Sequence, residues 1–187
     1  MTLPARLEPF LKQFDDALDR LITRLQGLTD DEYLWEPVPG CWSLRLRERC
    51  QTSKPFGKGN WVMDFDRPEP VPPPVTTIAW RMCHLTNGLI RRADYTTGSR
   101  SLAWNDYEIA STAQSAISSL VTGAQIWRSV LTGTLDADLD QIGHSQYPWG
   151  LDPKLPFLDI IWWVNQELLS HGAEIALLRD LYRAQSR

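Results

Sequence analysis

The chain has 187 residues, enough to bury a complete core and within the usual single-domain size of roughly 50–200 residues, so one domain spanning 1–187 is expected. Its formal charge is -4, with 19 Lys and Arg against 23 Asp and Glu, and no basic cluster marks a nucleic-acid face, so no nucleic acid is expected as a partner. The start, Met1-Thr2-Leu3-Pro4-Ala5-Arg6-Leu7-Glu8, has no basic segment before an apolar run, and no stretch reaches the ~20 uncharged apolar residues of a membrane span, so a cytoplasmic protein without a membrane partner is expected.

Over residues 7–28 the apolar positions are Leu7, Phe10, Leu11, Phe14, Leu18, Leu21, Ile22, Leu25 and Leu28, the stripe of an amphipathic helix. Residues 29–75 lose that period and carry Pro37, Pro39, Gly40, Pro55, Gly57, Gly59, Pro68, Pro70 and the run Pro72-Pro73-Pro74. They predict a long irregular connection, with a short strand pair around 41–49 and 60–65. Structureless connections longer than about 15 residues are uncommon and often functional.

A second helix is expected to begin with Thr76 or Thr77 as N-cap, run through Ile78, Met82, Leu85, Leu89 and Ile90 to about residue 95, and end at Gly98. A third is expected over about 109–131, with Ala113, Ala116, Ile117, Leu120, Ala124, Trp127 and Leu131 inside and Gly133 closing it. Residues 133–154 are turn-rich, with Gly143, His144, Pro148-Trp149-Gly150 and Pro153. The last helix is expected over about 157–184, with Leu158, Ile161, Val164, Leu168, Ile175, Leu178 and Leu181 inside. Long amphipathic helices without a convincing sheet predict an all-α, four-helix bundle with long connections.

On the last helix Glu167 and His171 are four residues apart, one turn above the other, where a carboxylate and an imidazole can converge on one ion. A bundle site needs a further ligand from a facing helix, and His84 is the histidine in another predicted helix. His84, Glu167 and His171 are therefore the candidate metal ligands. The same spacing also suits an ordinary surface pair, and a helical histidine also suits a hydrogen-bonded core position. Gly88, one turn after His84, and Gly172, beside His171, either make room for a ligand or allow close helix packing.

The segments Leu28-Thr29-Asp30-Asp31-Glu32, Pro39-Gly40-Cys41-Trp42-Ser43, Thr77-Ile78-Ala79-Trp80-Arg81-Met82-Cys83-His84-Leu85 and Glu167-Leu168-Leu169-Ser170-His171-Gly172-Ala173-Glu174-Ile175 resemble the DinB-like superfamily of metal-binding four-helix bundles. The resemblance runs over most of the chain and is weakest at residues 44–75. It implies a histidine on the second helix joined to two ligands four apart on the final helix, the places held by His84, Glu167 and His171. The His/Glu/His version resembles the mycothiol-dependent maleylpyruvate isomerase branch. Zinc is the first expectation, and two imidazoles with one carboxylate also suit iron, nickel or manganese.

The leading expectation is thus a metal-dependent thiol S-transferase or isomerase acting on a small-molecule substrate with a low-molecular-weight thiol, mycothiol or bacillithiol by resemblance. The alternatives are a metal-dependent hydrolase and a non-catalytic metal- or small-molecule-binding bundle. Hydrolysis needs a base, and Glu174 is either that base or a partner orienting a ligand, while His144 is either an acid or base at the mouth of the site or a solvent-exposed loop residue. Trp80 and Asn87 flank His84 by about a turn and either line a pocket or belong to the core. Arg91, Arg92 and Arg179 either contact an acidic substrate or serve local salt bridges. Trp162 and Trp163 cannot both face the interior, which motivates a homodimer. Cys41, Cys50 and Cys83 form no CxxC pair and fit a reducing compartment.

Overall fold

The structure is a computed structural model that describes residues 2–146 and 154–185. Among these residues there are five α-helices and one two-stranded sheet. Helix α1 (Glu8–Leu25) buries Leu11, Phe14, Ala17, Leu21 and Leu25. It stops three residues short of the expected Leu28, because Gly27 turns the chain with φ +69, a conformation costly for residues bearing a Cβ.

The connection expected to be irregular is partly regular. Thr29 Oγ1 accepts from the Glu32 backbone N–H at 3.2 Å and starts a short helix α2 (Asp30–Leu34). Strands β1 (Leu44–Leu46) and β2 (Trp61–Met63) pair antiparallel, with Leu44 opposite Met63, inside the two segments expected to hold strands. Asp64, buried beyond β2, accepts from the Ser43 backbone N–H at 2.9 Å and from Arg45 Nε at 2.8 Å, which folds the connection into a compact strap.

Helix α3 (Ile78–Thr97) starts as expected, with Thr77 Oγ1 accepting from the Trp80 backbone N–H, and ends at Gly98. Helix α4 (Ala113–Gly133) begins four residues later than Ile109, because Thr112 supplies the N-cap. Ile109 is buried in the preceding loop, where its side chain crosses Gly57. Helix α5 (Phe157–Gln185) matches its expected span. The turn at Pro148-Trp149-Gly150 and Pro153 lies outside the described residues.

Helix α3 packs on α4 and α5, and α1 packs on α5 and α4, closing a four-helix bundle. Small residues on α4 make its approach to α3 close: a Cβ at Gly123 would stand 3.3 Å from the Thr86 carbonyl oxygen. The strap seats on the start of α3, where Trp42 lies 6.1 Å from Trp80 and Trp80 Nε1 donates to the Asp64 carbonyl at 2.8 Å. No helix among the described residues is long and apolar enough to cross a membrane.

Candidate metal centre

The α3–α5 contact brings the expected residues together. His84 comes from α3, and Glu167 and His171 come from one face of α5. One ligand atom from each lies within 4.8 Å of the others. Glu167 Oε2 stands 3.1 Å from His84 Nε2 and 3.4 Å from His171 Nε2. Burial opposes ionisation of Glu167, but hydrogen bonds from His171 and His84 outweigh it and hold its pKa at about 2.

Each imidazole is fixed from behind. The His84 ring stacks on Trp80 at 5.2 Å and 8°, and Trp80 is itself tied to the strap through Asp64. His171 Nδ1 lies 2.7 Å from Glu174 Oε2, and Arg81 donates to the same carboxylate oxygen. These contacts fix the ring so that Nδ1 faces Glu174 and Arg81 while Nε2 faces Glu167. Glu174 is therefore an orienting partner. The Arg81 link was not foreseen, since a lone arginine three residues before His84 carries no periodic signal that it will meet α5.

The DinB superfamily model matches residues 13–175. The chain belongs to the DinB superfamily. No curated protein and no solved structure matches it. The superfamily is metal-binding, and the donor set of this DinB protein suits a divalent ion. With bonds of about 2.0–2.2 Å, neighbouring ligand atoms of a tetrahedral zinc site lie about 3.3–3.6 Å apart. The separations from Glu167 Oε2 to the two imidazole nitrogens, 3.1 and 3.4 Å, lie close to that range.

A cavity of about 660 Å³ opens on His84 and Glu167. Gly88 forms part of its wall, and a Cβ built there meets nothing within 4 Å, so this glycine opens space instead of tightening helix packing. Gly172 does border another helix, with its virtual Cβ 4.0 Å from Leu21. Asn87 lines the cavity, whereas Trp80 backs His84 from a buried position. Trp162 and Trp163 are 53 % and 42 % exposed and both line the cavity, so neither belongs to the core.

Two further candidates lie elsewhere. His144 packs 4.6 Å from Phe157 and lines a separate cavity near the ends of α3 and α4, away from the triad, so it does not serve the mouth of the site. Arg179 is buried against Glu32 at 2.7 Å and donates to the Gln26 carbonyl, a structural role that removes it from any substrate contact. Cys41, Cys50 and Cys83 are all free thiols.

Proposed function

We propose that this DinB protein holds one divalent metal, zinc first, on His84, Glu167 and His171 and uses it as a metal-dependent transferase or isomerase acting with a low-molecular-weight thiol. The observation that carries the reading is the convergence of two imidazole nitrogens on one carboxylate oxygen at the wall of a cavity large enough for a small molecule. Iron, nickel and manganese suit the same donors.

A bound dication beside a single carboxylate would supply a net positive centre that favours the thiolate form of an incoming thiol. The chain's own residues do the rest. Glu167 stays ionised through the neutral range, Glu174 and Arg81 hold the orientation of the His171 ring, and Trp80 holds the plane of His84. Leu85, Leu89, Ile160 and Val164 give the cavity an apolar wall for the body of a small molecule. By the resemblance noted in the sequence, mycothiol or bacillithiol is the first thiol to try. Hydrolysis is the weaker reading, because Glu174 is engaged by His171 and Arg81 and does not line the cavity.

Metal content of tag-free protein by plasma mass spectrometry, compared with His84→Ala and His171→Ala at matched circular dichroism, tests the centre. About one transition metal per chain, lost in both variants, is expected. Absence of metal after incubation with zinc, nickel, manganese or anaerobic ferrous iron would sink it. Consumption of mycothiol or bacillithiol with an electrophile by metal-loaded protein then separates thiol transfer from thiol-independent hydrolysis. We also propose a cytoplasmic homodimer, supported by Trp162, Leu169 and Leu177 exposed along α5. Light scattering that finds only a 21.4 kDa species at micromolar concentration would refute the dimer.

A further inference from the structure

We infer that the cavity beside the triad binds a neutral aromatic carbonyl compound, its carbonyl oxygen accepting from the Asn87 amide and its ring lying against Trp162. Asn87 is 7 % exposed and lines the cavity, and its buried Nδ2 has no hydrogen-bond partner among the described residues. A donor taken out of water and left unmade is costly, whereas an apolar side chain of similar shape carries no such cost. The preceding residue shows the contrast. Thr86 is buried as well, yet its hydroxyl is satisfied within α3 by donating to the Met82 carbonyl at 2.8 Å. The Asn87 amide has no comparable task in the fold, and the space it borders is the cavity.

The rest of the lining defines the body of the ligand. Leu85, Leu89, Ile160 and Val164 form an apolar wall, and Trp162, 53 % exposed, offers an uncovered indole. Arg67, Arg91 and Arg92 also line the cavity, and each already has partners within the protein, so recognition through Asn87 calls for no charge on the ligand. A planar body against indole and aliphatic walls, with one acceptor for one donor, is what an aromatic ketone or amide supplies. The terminal torsion of an asparagine is broad, so a ligand oxygen at the cavity face draws Nδ2 round to it. Asn87 follows His84 by three residues, which places the carbonyl about 4.5 Å further along the axis of α3 than the triad. The role of such a compound as substrate rests on the metal reading above, whereas its binding needs only the cavity.

The intact protein, metal-free and zinc-loaded, can be titrated with 2-acetylnaphthalene and with 2-isopropenylnaphthalene, which keeps the shape but carries a methylene in place of the carbonyl oxygen. Tryptophan quenching and ligand-observed NMR follow the binding. One acetyl compound per chain is expected, with or without zinc. Asn87→Leu is expected to lower the ratio of the two affinities, acetyl over isopropenyl, by about three- to tenfold, as one lost hydrogen bond implies. Trp162→Ala is expected to weaken both compounds alike. An amide kept for a ligand also has a signature without one: Asn87→Leu is expected to raise the urea midpoint of the empty protein, whereas an amide serving the fold would lower it when replaced. Should the leucine variant fail to fold, Asn87→Ala supplies the ratio.

A ratio unchanged in the Asn87 variants overturns the inference, and a lowered urea midpoint assigns the amide to the fold instead. Affinities that Trp162→Ala leaves intact overturn the placement of the ring. Acetyl binding that appears only with zinc and vanishes in His84→Ala places the oxygen on the ion, overturning the Asn87 assignment while sparing the metal centre. An Asn87-dependent ratio in protein that takes up no metal supports the carbonyl site and removes the metal reading.

Discussion

Glu174 stands three residues after His171 with Oε2 2.7 Å from its Nδ1, so its carboxylate decides which imidazole nitrogen faces the triad. Partners that orient a metal-bound histidine typically change affinity about 10- to 100-fold when removed. Glu174→Ala is expected to weaken zinc binding by that factor in competition with a chelating dye, while Glu174→Gln, which keeps an acceptor, loses less. An unchanged dissociation constant in Glu174→Ala would show that His171 is held by other contacts. Glu167 makes a second statement at this scale. Its folded pKa of about 2 lies below its ordinary value of 4.5, so its pairing stabilises the metal-free fold above that ordinary value and the contribution fades as the pH falls toward 2. In urea unfolding of metal-free protein, the advantage of wild type over Glu167→Gln is therefore expected to be full at pH 7 and to shrink steadily below pH 4.5. An advantage independent of pH would mean that the histidines do not pair with this carboxylate.

At the scale of elements, the junction of α1, α2 and α5 depends on one buried ion pair. Arg179 on α5 meets Glu32 on α2 through Nε at 2.7 Å and through its terminal nitrogen at 2.9 Å, and it closes the carbonyls of Arg24 and Gln26 at the end of α1. A pair of this kind adds little over a well-packed apolar substitute, but removing one partner strands the other. Arg179→Met is expected to cost about 3–5 kcal/mol in urea unfolding, and the double variant Arg179→Met with Glu32→Leu is expected to recover much of it. Equal losses in the single and double variants would show that the carbonyl contacts, and not the stranded Glu32, dominate. The strap has a different role. It adds no helix to the bundle, yet through Asp64 and Trp42 it sets the indole on which His84 rests.

For the molecule as a whole, an ion held at the proposed site would tie α3 to α5, two helices that share a modest contact. Ligand binding to the folded state alone adds about 2.7 kcal/mol at a concentration 100 times the dissociation constant. For a chain of this length that corresponds to a rise in Tm of about 5–10 °C. Zinc is expected to raise the midpoint by that amount in wild type and not in His84→Ala, as followed by circular dichroism. A rise that survives in His84→Ala would locate the ion elsewhere.

The amphipathic period of the long helices, their caps at Thr77 and Gly98 and the Glu167/His171 spacing were all legible in the sequence, because each depends on contacts within about one turn of helix. The all-α bundle followed from those patterns, whereas the DinB resemblance rested on a few local motifs and the family match over residues 13–175 bears it out. What lay beyond reach were contacts between residues distant in the chain. The order within residues 29–75 depends on a buried Asp64 collecting donors from Ser43 and Arg45. The late start of α4 depends on Ile109 being claimed by the strap at Gly57. The orientation of His171 depends on Arg81 reaching across from α3 to Glu174, and the choice between an open cavity at Gly88 and close packing at Gly123 depends on what each glycine faces. Local chain chemistry determined the helices and put candidate ligands on them; only the packing of those helices and the strap decided which side chains meet, because burial and long-range hydrogen bonds are properties of the assembled fold.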